Sequence, residues 1–178
     1  MKTTIPVMML MMTALAGLPS TEVFAESLVV KEPSALKSWW RRSFRSLTWD
    51  ETIATVTSPR SVCWQVRRHV TYRAEAGDQW FDGKTVWDRG YGDCEDFASC
   101  IADICDARGF TCWIAAVRTV GTHTHGHCLV MGLWRGQMWL ASNGSYYEVS
   151  SLEDALKRVA VLLGQSRESF EFVPLSLL

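Results

Sequence analysis

The stretch GDCEDFASCIADICDARG, residues 92–109, decides the fold. Asp93 has the chemistry of a helix N-cap, and Asp96 stands three residues on, where a capping-box acid belongs. Phe97, Ile101 and Ile104 recur at helical spacing, joined by Ala98 and Cys105. Gly109, after Arg108, reads as the glycine that ends the helix in the left-handed conformation. The spacing predicts a helix of about four turns over 93–108, apolar on much of its surface and therefore central to the core.

That helix start poses a chemical question. Cys94 stands among Asp93, Glu95 and Asp96, and nearby negative charge raises a thiol pKa, whereas a nucleophile needs it lowered. With Asp93 as N-cap, Cys94 is the first helical residue. Its sulfur then lies beside unpaired backbone N–H groups and the positive end of the helix dipole, which favour the thiolate. The acids have work of their own in that turn. They cap the backbone, or they bind a hard cation such as Ca²⁺. A first-turn cysteine alone is more often a packed structural residue than a nucleophile.

Upstream, Ser34 to Leu47 reads as a helix carrying Leu36, Trp39, Trp40 and Phe44. Ser58-Pro59 starts another, running to about Val70 and burying Val62, Val66 and Cys63. Thr71 to Arg89 reads as irregular, punctuated by Gly77 and Gly83. Downstream the pattern turns to strands: 110–120, 127–134, 137–142 and 146–149, with Arg135-Gly136 and Asn143-Gly144 as two-residue hairpin turns. Ser150, with Glu153 three residues on, opens a last helix, and residues 170–173 add an edge strand. Helices, then an antiparallel meander, then a helix make an α+β fold.

The first residues read as an export signal. Lys2 is followed by an apolar run from Ile5 to Leu18, and Val23-Phe24-Ala25 offers small residues for cleavage. Residues 1–25 are thus a signal peptide and 26–178 a single domain, periplasmic or secreted, with no membrane span after cleavage. The alternative is an uncleaved interfacial anchor. A formal net charge of −1 gives no nucleic-acid signature, and Arg41, Arg42 and Arg45 read as a solvated helix face. There are six cysteines, so an exported chain has a fully paired disulfide framework as an alternative to a free nucleophile.

A thiolate nucleophile needs a partner base. His123, His125 and His127 alternate in THTHGH, which suits a metal site on one strand face or a polar loop leading into a strand. His127 differs, because it opens the apolar run Cys128-Leu129-Val130-Met131. The hairpin through Arg135-Gly136 returns Ser142 and Asn143 to its neighbourhood. Either can orient the imidazole. Asn143 is the stronger candidate, since an amide oxygen fixes the tautomer, and its alternative role is the Asn-Gly turn.

GDCEDFA on a helix start, a histidine entering an apolar strand, and a hairpin back to a polar pair together resemble the bacterial transglutaminase-like cysteine proteinases, of the papain-related superfamily. The resemblance runs from about Val62 to Val149 and includes VRRHVTY (66–72) and DQW (78–80). It implies a papain/transglutaminase-like core, with the nucleophile helix packed on an antiparallel sheet. Cys94 would be the nucleophile and His127 the base. Family members include periplasmic proteases that cut large surface adhesins and need calcium beside the cysteine, which would make Asp93 and Glu95 Ca²⁺ ligands. Two features depart from the family. Ser142-Asn143 replaces the usual Asp-Asn, and WFDGK (80–84) lacks the usual pattern.

The reading is an exported thiol peptidase or amidase acting on a cell-surface or periplasmic protein through Cys94, His127 and Asn143 or Ser142. Gln79 or Trp80 would join the Cys94 N–H at the oxyanion. The chemistry itself requires no cofactor. The alternatives are acyl transfer to an amine, and an inactive binding module with Cys94 in a disulfide.

Overall fold

The computed structural model of the chain describes residues 47–74, 79–120 and 125–174, with only the backbone described at 125 and 174. The expected export signal, all of the expected helix over 34–47 but its last residue, and the C-terminal residues 175–178 lie outside these. Among the described residues the order is α1 (Trp49–Thr55), α2 (Pro59–His69), β1 (Thr71–Tyr72), α3 (Gly83–Arg89), β2 (Tyr91–Gly92), α4 (Cys94–Ala107), β3 (Cys112–Thr119), β4 (His125–Trp134), β5 (Gln137–Ser142), β6 (Ser145–Val149), α5 (Leu152–Leu163) and, after a 3₁₀ turn, β7 (Phe170–Pro174). This is a mixed α and β structure built on an antiparallel sheet. No helix among the described residues is long and apolar enough to cross a membrane.

Five strands form one sheet in the order β6-β5-β4-β3-β7, each pair antiparallel. Both expected hairpin turns are present. Arg135 and Gly136 have φ of 52° and 80°, and Asn143 and Gly144 have 46° and 75°, the paired positive values that a two-residue turn between twisted strands requires. The sheet is apolar on both faces because alternate residues serve different layers. Ala116, Cys128, Val130, Trp139 and Ala141 join the cluster built with α2, α3 and α4. Val117, Leu129, Met131, Leu140 and Val149 join the cluster that buries Ala155 and Val159 of α5. Helix α4 packs across β3, β4 and β5. Cys100, Ile101, Ile104 and Cys105 are wholly buried.

Three local readings are corrected. The stretch 71–89 is not irregular throughout. Asp82 caps α3 by accepting the Thr85 N–H at 2.9 Å, and β1 pairs in parallel with β2. Helix α1 is an additional element, held by a reciprocal capping box between Thr48 and Glu51. The N-cap of α5 is Ser151 rather than Ser150, and its hydroxyl accepts from Asp154 N.

Candidate active site

Cys94 is the first residue of α4, as its place after Asp93 predicts, but the acids around it do not cap the helix as expected. Asp93 sits at the N-cap position, yet its side chain makes no capping hydrogen bond. Asp96 is buried and is held by Arg89, whose Nη2 donates to Oδ2 at 2.9 Å. Arg89 in turn lies over the Phe81 and Tyr91 rings, 4.2 and 4.8 Å from their centroids, and donates to the Tyr91 carbonyl. The carboxylate nearest the core is therefore neutralised by a cation arriving from α3. Gly92 allows this arrangement, since a Cβ there would run into the Asp96 side chain.

The thiol of Cys94 is pulled down to about 4, chiefly by a hydrogen bond from the Cys128 side chain, then by the hydrogen bond and positive charge of His127 and by the Cys128 backbone, all against the opposing effect of burial. Cys128 is correspondingly pushed up, because its thiol donates to Cys94 and is buried. The Cys94 sulfur also stands 3.9 Å from Glu95 Oε2, at the outer limit for a sulfur hydrogen bond. Donation from Cys94 to that carboxylate would favour the protonated thiol. The groups facing the sulfur from β4 outweigh so long a contact. What favours the thiolate is thus mainly a strand neighbour, with the helix start adding to it.

His127 is buried, and its Nε2 lies 2.8 Å from Ser142 Oγ. That bond leaves Nδ1 as the ring nitrogen available to the thiol. Register explains the meeting. Val130 pairs with Ala141, so β5 ends alongside the start of β4 and delivers Ser142 to the imidazole. Asn143 takes the turn instead. Its φ is 46°, and its Oδ1 is buried with no hydrogen-bond partner among the described residues. Gly144, beside it, needs both its positive φ and its lack of a side chain, because a Cβ would meet Arg67.

The other expected site residues stand as follows. Gln79 and Trp80 are exposed, and neither makes a hydrogen bond into the site among the described residues. His123 lies outside the described residues, and only the backbone of His125 is described. His69 is not part of the site. It stacks on Trp87 at 3.8 Å, and its Nε2 lies 2.7 Å from the Trp87 carbonyl. Sequence reasoning missed Tyr72. Its partner in β2 is Gly92, two residues from Cys94, and its hydroxyl is pushed up by burial and then by the charges of Cys94, Asp93 and Glu95. No local pattern flags it; only the β1–β2 pairing brings it to the cysteine.

Cys94, Glu95 and Cys128 place three potential ligand atoms within 4.8 Å of one another. Two sulfurs and one carboxylate do not suit Ca²⁺, which takes six to eight oxygens. Asp93 and Glu95 flank Cys94 at the start of α4, and the charges of both raise the Tyr72 hydroxyl.

No protein-family model matches the chain, and no match is found among curated proteins.

Proposed function

We propose that this protein is a thiol-dependent peptidase or amidase with a Cys94–His127–Ser142 site on a papain-like arrangement of helix and sheet, acting on a protein substrate outside the cytoplasm. The observation that carries the reading is the Ser142 hydroxyl at 2.8 Å from His127 Nε2, with the thiol of Cys94 held low by groups that include the same histidine. A nucleophile, a base and an orienting group in that relation form the logic of a catalytic triad. The assignment to the transglutaminase-like proteinases comes from the sequence resemblance, and the export signal from the pattern of the first 25 residues.

The chemistry follows from these groups. The Cys94 thiolate attacks the carbonyl carbon of a peptide or amide. His127, carrying the thiol's proton, gives it to the leaving amine. Water then attacks the thioester, with His127 as base, and Cys94 is released. Ser142 holds the ring so that Nδ1 addresses the sulfur and the substrate. The Cys94 backbone N–H, in the helix turn that has no intrahelical acceptor, donates to the oxyanion. Gln79 and Trp80 remain the proposed second donors.

Turnover of an activated p-nitrophenyl ester tests the reading, because acylation of the thiol releases the chromophore and hydrolysis of the thioester readies the thiol for another cycle. Cys94→Ala is expected to abolish turnover while the far-ultraviolet spectrum stays native. Undiminished turnover in that variant would sink the mechanism.

A further inference from the structure

The proposed chemistry uses the sulfur of Cys94 and leaves its neighbour unexplained. Cys128 sits in β4 directly after the base, buried, with its sulfur within 4.8 Å of the Cys94 sulfur. The Cys128 thiol favours the Cys94 thiolate, and Cys94 in turn pushes Cys128 up. They come from different elements, the start of α4 and the start of β4, which pack together. All six thiols are unbridged here. A sulfur pair this close must approach further to reach the roughly 2.05 Å of a disulfide.

We infer that Cys94 and Cys128 form an oxidative modification site, in which Cys128 closes onto the nucleophile as a reversible disulfide that switches the enzyme off. The inference rests on Cys94 being the reactive sulfur. The oxidant class is a hydroperoxide. The Cys94 thiolate attacks one peroxide oxygen and the O–O bond breaks, giving Cys94 sulfenic acid and hydroxide. The Cys128 sulfur then attacks the Cys94 sulfur. The S–O bond breaks, and the departing hydroxide takes the Cys128 proton and leaves as water. Two electrons pass from the two sulfurs to the peroxide. Cys94 is partly exposed and Cys128 is buried, so the oxidant meets Cys94 first. A small-molecule dithiol reverses the bridge, and a sulfur at a helix start is a good leaving group. Without Cys128, the sulfenic acid has no adjacent thiol and proceeds to the sulfinic and sulfonic acids, which a dithiol does not reverse.

The experiment treats the full chain with hydrogen peroxide, blocks remaining thiols by alkylation, and maps peptides by mass spectrometry. Cleavage after arginine and glutamate separates Cys94, which precedes Glu95, from Cys100 and Cys105. The expected result is a peptide pair joining Cys94 to Cys128, ester turnover lost in step with it, and both restored by dithiothreitol. Cys128→Ser is expected to lose turnover irreversibly, with Cys94 as sulfinate or sulfonate. Wild-type protein that over-oxidises Cys94 while Cys128 is still alkylated would overturn the inference, as would Cys94 joined to any other cysteine. The mass readout does not need activity. A Cys94–Cys128 bridge in a protein with no ester turnover would therefore count against the peptidase reading alone, and turnover without the bridge would count against this inference alone.

Discussion

Replacing Ser142 by Ala removes the one side-chain partner shown for His127 Nε2 among the described residues. His127 is 9% exposed, so water does not readily take the hydroxyl's place. Leaving a buried polar group unsatisfied costs about 1–3 kcal/mol. If that cost appears wholly as lost orientation in the transition state, it lowers kcat/KM about 5- to 150-fold. The comparison variant is Asn143→Gly. It keeps the positive φ of the turn at no steric cost and removes an amide that makes no hydrogen bond to the ring. Its turnover is expected to stay within about twofold of wild type, since it touches neither the sulfur nor the imidazole. Both are assayed by ester turnover across pH, with melting curves to show that folding is intact. A variant pair in which Asn143→Gly loses turnover and Ser142→Ala keeps it would refute the orientation argument and return Asn143 to the triad. Asp at 142, the residue that the resembled family carries there, is expected to keep the ring oriented and so to retain more turnover than Ala.

With Cys94 held low to about 4, its alkylation rate should be flat from about pH 6 upward and fall only toward pH 4, with Cys112, lowered by its hydrogen bond from Cys105, labelling next and the buried Cys63 and Cys100 silent. The linkage has a definite sign. The unfolded thiol has a pKa near 9 and the native one near 4, so the stability due to this group is complete above pH 9 and is lost by pH 4. The melting difference between wild type and Cys94→Ala should therefore shrink as pH falls, and a difference that grows would show that the thiolate is not favoured. Arg89→Met strips the cation from a carboxylate that is 1% exposed, and is expected to destabilise by about 3–5 kcal/mol, with Asp96→Asn in the same chain restoring part of the loss. Strictly additive effects in denaturant melts would mean that the two residues do not act as a pair.

Local chemistry determined much of this protein. The 3.6-residue recurrence of Phe97, Ile101 and Ile104 marks α4, the Asn143-Gly144 and Arg135-Gly136 pairs mark both hairpins, and Ser58-Pro59 marks α2, because each signal is complete within a few residues of chain. The place of Cys94 at a helix start is legible for the same reason. Thr48 and Glu51 carried an equally local signal for α1 that the sequence reading passed over. What tertiary structure decided are the relations between distant segments. Asp96 reads as a cap until Arg89 arrives from α3 to pair with it. Asn143 reads as the better orienting group until strand register delivers Ser142 and commits Asn143 to a backbone conformation with positive φ. Tyr72 and Cys128 reach Cys94 only because β1 pairs with β2 and α4 lies across β4. Capping, turn and periodicity preferences are energies of neighbouring residues and so are written along the chain. The partner of a buried charge or thiol depends on which elements pack together, and many sequence-distant groups are equally eligible until packing selects one.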